Sequence, residues 1–338
     1  IFKMKLEDSV QLTKSKPASS ASQKKKPSMD SVKCKVCQKE FASVKSLHGH
    51  LKAHQLRQAQ YYQKYCAKYD KFTGEIIKFK NRDQYFDTDF NSRVSLKGWL
   101  EKVPDKEALA YCEKFLKERK ERKKLIYAPS QIELRSLMFP PLHYFKTKKF
   151  SYLKICSSMG LEKKYSYKTK IEPEKLQDDH CIYVDTREQK PLSFDVGIEV
   201  KKLDFGDYTL NDQSVCGKVH VERKNLIDFI GTMSGGFERF QREVERAAVE
   251  GAYIAVVVES SYGAATNFNK LPVIRNKVRA TPEFIFHRVR DLLQSYKNVQ
   301  FLFVKNRSES SKIIQKLLSS KGSCRDADLQ FLYDTGCL

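Results

Sequence analysis

The sequence predicts an α/β protein in which a mixed β-sheet is flanked by helices on both faces. A small Cys/His motif and a basic, mostly helical region precede the sheet. Three observations predict this. AYIAVVVES, residues 252–260, is apolar without alternation, as a central strand buried on both faces requires. The segments around it read, in order, as strands, helix, helix, strand, helix, strand, helix. Cysteines and histidines at 34, 37, 50 and 54 follow the spacing C-x2-C-x12-H-x3-H.

Residues 1–31, rich in Lys, Ser and Gln, predict a disordered basic tail. Residues 32–56 hold the Cys/His motif. Residues 57–179 form a basic region whose clearest element is KEALAYCEKFLKERKERKK, 106–124, with Leu109, Cys112, Phe115 and Leu116 at helical spacing. The prolines of MFPPLHYF, 138–145, break that pattern. FKTKKFSYLKI, 145–155, then reads as a short basic strand or loop, and about 157–179 as a polar connector. From residue 180 to 322 the texture is that of a second domain. CIYVDT, GIEVKKLDF, Tyr208–Leu210 and VCGKVHVERK are strands, and Gly206 marks a turn. NLIDFIGTM and FERFQREVERAAVEG are helices, the second ended by Gly251. After AYIAVVVES come a helix with Pro282 in its first turn, the strand NVQFLFV, and a last helix SESSKIIQKLLSS with a Ser cap. Residues 323–338 read as a short acidic tail.

The formal net charge is +22, and +19 of it falls on residues 1–180. Such an excess binds polyanions by counterion release, so nucleic acid is the default partner and the first half supplies most of the attraction. An acidic membrane surface is the blander alternative, and no strongly amphipathic basic helix supports it. The longest clean apolar run, AYIAVVV, is far too short to span a bilayer, and IFKMKLED lacks the apolar core of a signal peptide. Nine scattered cysteines do not make a disulfide scaffold and fit a reducing compartment, nucleus or cytoplasm, or host cytoplasm for a viral chain.

In CKVCQKEFASVKSLHGHLKAH, two thiolates on a hairpin, Cys34 and Cys37, and two imidazoles one helical turn apart, His50 and His54, can close a tetrahedron around Zn²⁺. Phe41 and Leu47 would form the small core that the metal completes. His48 is the extra histidine and reads as solvated. The motif closely resembles the C2H2 zinc fingers, which implies a ββα fold and a structural zinc. The base-reading positions of that family then fall on Ser43, Ser46 and Gly49, with Lys45 beside them. None can bind a base edge bidentately, so the motif reads as a module docking on DNA backbone or on an unusual DNA shape. A protein-binding finger is the rival.

HVERKNLID, 220–228, places Glu222 and Lys224 on one face of a strand and Arg223 on the other. Asp207 follows a glycine turn, and Asp185 ends the first strand. Acids gathered near one lysine are costly in water alone and make sense around Mg²⁺ or Mn²⁺. The lysine can then position the attacking water and counter charge on the phosphorane. The bland alternative is a salt-bridged exposed strand. The neighbours decide: VDTRE (184–188), FGDYTL (205–210), VERKNLID (221–228) and GFERFQREVER (236–246) occur in this order. Together they resemble the nuclease domain of the XPF-type structure-specific endonucleases, whose signature is GD…ERK…D.

That resemblance covers about 180–322 and implies a restriction-endonuclease-like fold. Asp207 and Glu222 would be the central metal ligands, Asp185 a further acid at the metal, and Lys224 the residue serving the water. Arg223 and Asp228 would be structural, with Asp228 holding Arg223 or capping its helix. Arg187 and Glu188 would hold the site together, and Arg239 and Gln241 would reach a DNA phosphate. The implied activity is Mg²⁺- or Mn²⁺-dependent cleavage of branched, flap or fork DNA in repair, recombination or replication. A non-catalytic DNA-binding scaffold or partner subunit, and a junction resolvase or exonuclease on the same core, are the alternatives. The hairpin NDQSVCGKVH is longer than the family's, and the paired helix-hairpin-helix motifs usual after this domain are not seen, which leaves homodimer and heterodimer open. YYQKYCAKYDKF and LHYFKTKKFSY interleave aromatics with lysines. They read as core aromatics, with a single-strand stacking surface as the rival.

Overall fold

The structure, a computed structural model, describes residues 32–79, 82–167, 170–176, 180–211, 218–275, 277–320 and 322–338. The expected tail, 1–31, and the hairpin tip, 212–217, lie outside these described residues. The chain divides into two compact units, Ile1–Cys66 and Ala67–Leu338.

In the first unit β1 (Val32–Lys33) and β2 (Glu40–Phe41) form an antiparallel hairpin, followed by α1 (Val44–His50), a 3-10 turn (Leu51–His54) and α2 (Gln58–Tyr65). The Ser43 hydroxyl caps α1 by accepting the Ser46 N–H at 3.2 Å. Leu47, Leu51 and Tyr61 are buried, and the Tyr61 hydroxyl accepts the Lys35 N–H at 2.9 Å, tying α2 to the hairpin. His48, expected to be solvated, is half-buried, and its Nε2 lies 2.8 Å from the Tyr62 hydroxyl. The sequence motif ends before α2, so that partner was not visible from the spacing.

Among its described residues, the second unit begins with six helices: α3 (Arg82–Asp87), α4 (Arg93–Lys102), α5 (Asp105–Lys123), α6 (Gln131–Ser136), α7 (Leu142–Thr147) and α8 (Tyr152–Ser158). Two of them replace the basic strand or loop expected at 145–155. Pro141 does not break a helix there; it is the N-cap of α7. Leu142 and Phe145, then Tyr152, Ile155 and Cys156, are buried at helical spacing. Of the two lysine-interleaved stretches, LHYFKTKKFSY buries Phe145 and Tyr152 as core, whereas YYQKYCAKYDKF buries Tyr61 and Tyr62 but leaves Tyr69 and Phe72 exposed.

The sheet comprises β3 (Cys181–Asp185), β4 (Gly197–Lys201), β5 (Tyr208–Leu210), β6 (Val219–Lys224), β7 (Tyr253–Glu259) and β8 (Val299–Val304), in the order β4-β3-β5-β6-β7-β8. Pairs flanking β5 are antiparallel and the others are parallel. Between and after the later strands lie α9 (Leu226–Met233), α10 (Phe237–Val249), α11 (Tyr262–Ala265), α12 (Pro272–Arg275), α13 (Pro282–Ser295), α14 (Arg307–Leu318) and α15 (Leu329–Asp334). One face of the sheet, with Ile254, Val256 and Val258, packs under α9, α10 and α13. The other, with Val219, Val221, Ala255 and Val257, shares a core with α14, α15 and the helices of the middle region.

Two further expectations are corrected. The last amphipathic helix is capped by Asn306, whose side chain accepts the Glu309 N–H at 3.0 Å, not by a serine. The segment 323–338 is no tail. Leu329, Phe331 and Leu332 are buried, and the Gln330 Oε1 accepts the Phe303 N–H at 2.8 Å. Helix α15 thus covers the edge of β8, whose outward backbone groups would otherwise be exposed to pairing.

Candidate active site

Strand register places the acids. β3 pairs with β5 through Val184–Tyr208, and β5 with β6 through Tyr208–Val221. One step further along these antiparallel ladders, Asp185, Asp207 and Glu222 lie in a row across three strands. Gly206 makes the turn into β5. Its φ is +62°, and a Cβ there would come 2.9 Å from the Val221 carbonyl oxygen, so a side chain is excluded both by conformation and by space. The Asp207 N–H donates to that same carbonyl at 2.8 Å.

Asp207 and Glu222 open into one cleft of about 440 Å³ with Arg187, Asp204, Arg239, Arg242, Glu243 and Arg246. Asp207 Oδ2 accepts the Arg223 N–H at 2.7 Å. Burial and the Glu222 charge push the Asp207 carboxyl up to about 7. Lys224 Nζ donates to Glu222 Oε1 at 2.6 Å, and both side chains are largely buried. Among the described residues only the Cys/His group has all its ligand atoms within 4.8 Å of one another.

Asp185 is not in the cleft lining. It accepts the Arg187 N–H and Nε–H at 2.8 and 2.6 Å and the Leu203 N–H at 2.7 Å. Burial opposes its ionisation, yet Arg187 and the Leu203 N–H outweigh it and hold the carboxyl below the ordinary range. Arg223 points to the opposite face, where Glu188 grips it at 2.9 Å and Glu259 at 3.1 Å. Asp228 does not hold Arg223. It is exposed, and its N–H donates to Asn225 Oδ1 at 3.0 Å in the cap of α9. Arg239 lines the cleft, whereas Gln241 is absent from its lining and donates to the Tyr296 hydroxyl and to Glu245. Arg242, Glu243 and Arg246 were missed. Helical spacing from Arg239 places them on the same side of α10 and could have found them.

The Asp207 shift has a measurable consequence. A carboxyl raised from its usual ~3.9 to about 7 makes the folded state bind more protons between those values, so its contribution to stability is lost as pH rises through about 7. In zinc-loaded, magnesium-free protein at pH 8, Asp207→Asn is therefore expected to be more stable than wild type by on the order of a few kcal/mol. Its advantage should vanish near pH 4. Thermal melts at the two pH values check this.

In the first unit, Cys37 Sγ lies 3.1 Å from His50 Nε2, Cys34 Sγ 3.6 Å from His54 Nε2, and the two Nε2 atoms 2.9 Å apart. Those separations fit a tetrahedral Cys2His2 set for Zn²⁺. Desolvation and the adjacent His54 lower the His50 pKa, which favours the neutral ring a metal needs. Lys45 is exposed on α1, and the Ser43 hydroxyl is engaged as the cap. Chelating the zinc from the full chain is expected to expose residues 32–66 to protease while 67–338 stays protected. Equal protection of both units after chelation would contradict a structural zinc.

Comparison with known families bears on the second unit. Residues 184–317 match the family model of the ERCC4 domain. The ERCC4 stretch contains the row from Asp185 to Glu222, Lys224 and the whole of α10. Among solved structures, XPF from Aeropyrum pernix is similar at 23% identity and TM-score 0.31, over 41% of this chain and 59% of that one. XPF from Aeropyrum pernix in complex with DNA is similar at 22% and 0.31, over 41% and 62%. The chain thus spans under two thirds of either. No curated protein matches it. Among the described residues, no helix is long and apolar enough to cross a membrane.

Proposed function

We propose that the protein is a metal-dependent DNA endonuclease acting on branched, flap or fork DNA, with its ERCC4 domain as the catalytic part. The observation that carries this is the pairing of Asp207 and Glu222 on adjacent strands, with Lys224 bound to Glu222, in a cleft rimmed by Arg187, Arg239, Arg242 and Arg246. The donor set is all oxygen, and a cation would offset both the burial and the Glu222 repulsion that raise Asp207. These residues fit Mg²⁺ or Mn²⁺. When bound, the ion supplies Lewis acidity toward a phosphodiester oxygen and acidifies water.

The chain's own groups do the rest. Lys224, fixed by Glu222, orients the attacking water and offsets charge growing on the phosphorane. The guanidinium groups of α10 and Arg187 hold flanking phosphates. In-line attack leaves a 5′-phosphate and a 3′-hydroxyl, by analogy with XPF-type enzymes. Affinity for DNA comes mostly from residues 1–180, which carry +19 of the net +22. The zinc unit docks on the DNA backbone or on a partner, and homodimer and heterodimer both remain compatible with the site.

A panel of labelled flap, fork, junction, duplex and single-stranded DNA with either metal tests the reading. Cuts near the branch of flaps or forks support it. Symmetric cuts across a four-way junction would indicate a resolvase, and end-to-end degradation an exonuclease. Binding without cutting would indicate a scaffold or partner subunit.

A further inference from the structure

Beyond Asp207 and Glu222, a third acid at the cation has two candidates, Asp185 and Glu243. Resemblance points to Asp185; the geometry does not. A carboxylate offers about four lone-pair sites, and Asp185 fills them: Oδ1 takes the Arg187 N–H and Nε–H, and Oδ2 takes the Leu203 N–H at 2.7 Å and Arg187 Nη2 at 3.2 Å. The carboxylate is fully buried and outside the cleft lining.

Glu243 is the converse. It faces the cleft from α10 beside Asp207 and Glu222. Its Oε1 lies 3.3 Å from the N–H of Gly206, the residue before Asp207, which sets the carboxylate at that strand end. Among the described residues its other oxygen accepts no hydrogen bond. Among the described residues it also makes no ion pair within 4.0 Å, although Arg239, Arg242 and Arg246 share its helix and its cleft and make none within that distance either. An acid placed only to balance these arginines would pair with one of them. Four cleft-lining guanidinium groups point independently to an anionic ligand arriving at the same place, which the acids can tolerate only with a cation between.

We infer that Glu243, rather than Asp185, is the third carboxylate toward the divalent cation, and that Asp185 is a positioning residue that fixes Arg187 and the Leu203 backbone. This rests on the metal-dependent reading of the cleft.

The test is Mn²⁺ binding to the zinc-loaded full chain without DNA, read from the electron paramagnetic resonance of free Mn²⁺. Asp207→Asn serves as a positive control. Glu243→Gln is expected to weaken binding roughly tenfold or more. Asp185→Asn should lower the melting temperature and leave Mn²⁺ affinity within about twofold. Unchanged affinity in Glu243→Gln, with Asp207→Asn weakened, would overturn the inference alone, and it decides the matter even if Asp185→Asn does not fold. A tenfold loss confined to Asp185→Asn would do the same. If wild type binds no Mn²⁺ at millimolar concentration, the metal reading of the cleft fails and takes the inference with it.

Discussion

Glu222→Gln is expected to lower the rate of DNA cleavage by roughly 10³-fold or more while leaving DNA binding intact or slightly tighter. The substitution keeps shape and removes one charge. That charge is one of two carboxylates opposed across β5 and β6, and it is the partner that holds Lys224 Nζ at 2.6 Å. In the proposed mechanism, losing it removes a cation ligand and frees the lysine assigned to the water. The same loss makes the cleft less negative, which favours an arriving phosphate. The signature is therefore a fall in single-turnover rate with unchanged or improved affinity in a gel-shift titration. A parallel loss of binding and melting temperature would instead assign Glu222 to the fold.

Arg223→Met carries the largest expected effect on stability. Arg223, Glu188 and Glu259 form a buried cluster on the sheet face opposite the cleft, with side chains 12%, 6% and 11% exposed. Removing the guanidinium leaves Glu188 without an ion pair, holding only the Tyr208 hydroxyl and the Lys190 N–H, and leaves Glu259 with the half-exposed Arg307 at 3.8 Å, a change that costs about 3–5 kcal/mol. Replacing both partners, as Glu188→Gln with Glu259→Gln in the Arg223→Met background, is expected to recover a large part of the loss, because no uncompensated charge remains. Denaturant midpoints of the single and triple variants measure this. The middle residue of the ERK segment then acts through the fold, while Glu222 lines the cleft and Lys224 is bound to it.

Much of this arrangement was legible in the residues. AYIAVVVES could hardly be anything but a central strand, and the alternation in HVERK separated Glu222 and Lys224 from Arg223. Asp207 was legible because a glycine turn and an opposing acid recur together in GD…ERK. The remainder depends on tertiary partners that local pattern does not encode. Asp185 reads as a metal ligand until the Leu203 N–H and Arg187 are seen to use its oxygens. Glu243 reads as one of many charges on a solvated helix until α10 is laid against the strand ends. The short apolar run of α15 reads as a tail in the sequence and gains meaning only against the edge of β8. The helices at 142–158 were obscured by lysines on their outer faces and by prolines that start a helix as readily as they stop one.

The central claim is that the cleft holding Asp207 and Glu222 hydrolyses DNA with a divalent cation. The most direct measurement is cleavage of an end-labelled flap substrate by wild type and Asp207→Asn, with and without Mg²⁺ or Mn²⁺, on zinc-loaded protein. The account predicts cuts near the branch by wild type only when the cation is present, and none by Asp207→Asn although it still binds the DNA. Cleavage by wild type that survives in Asp207→Asn, or binding by wild type with no cleavage under either metal, would contradict it.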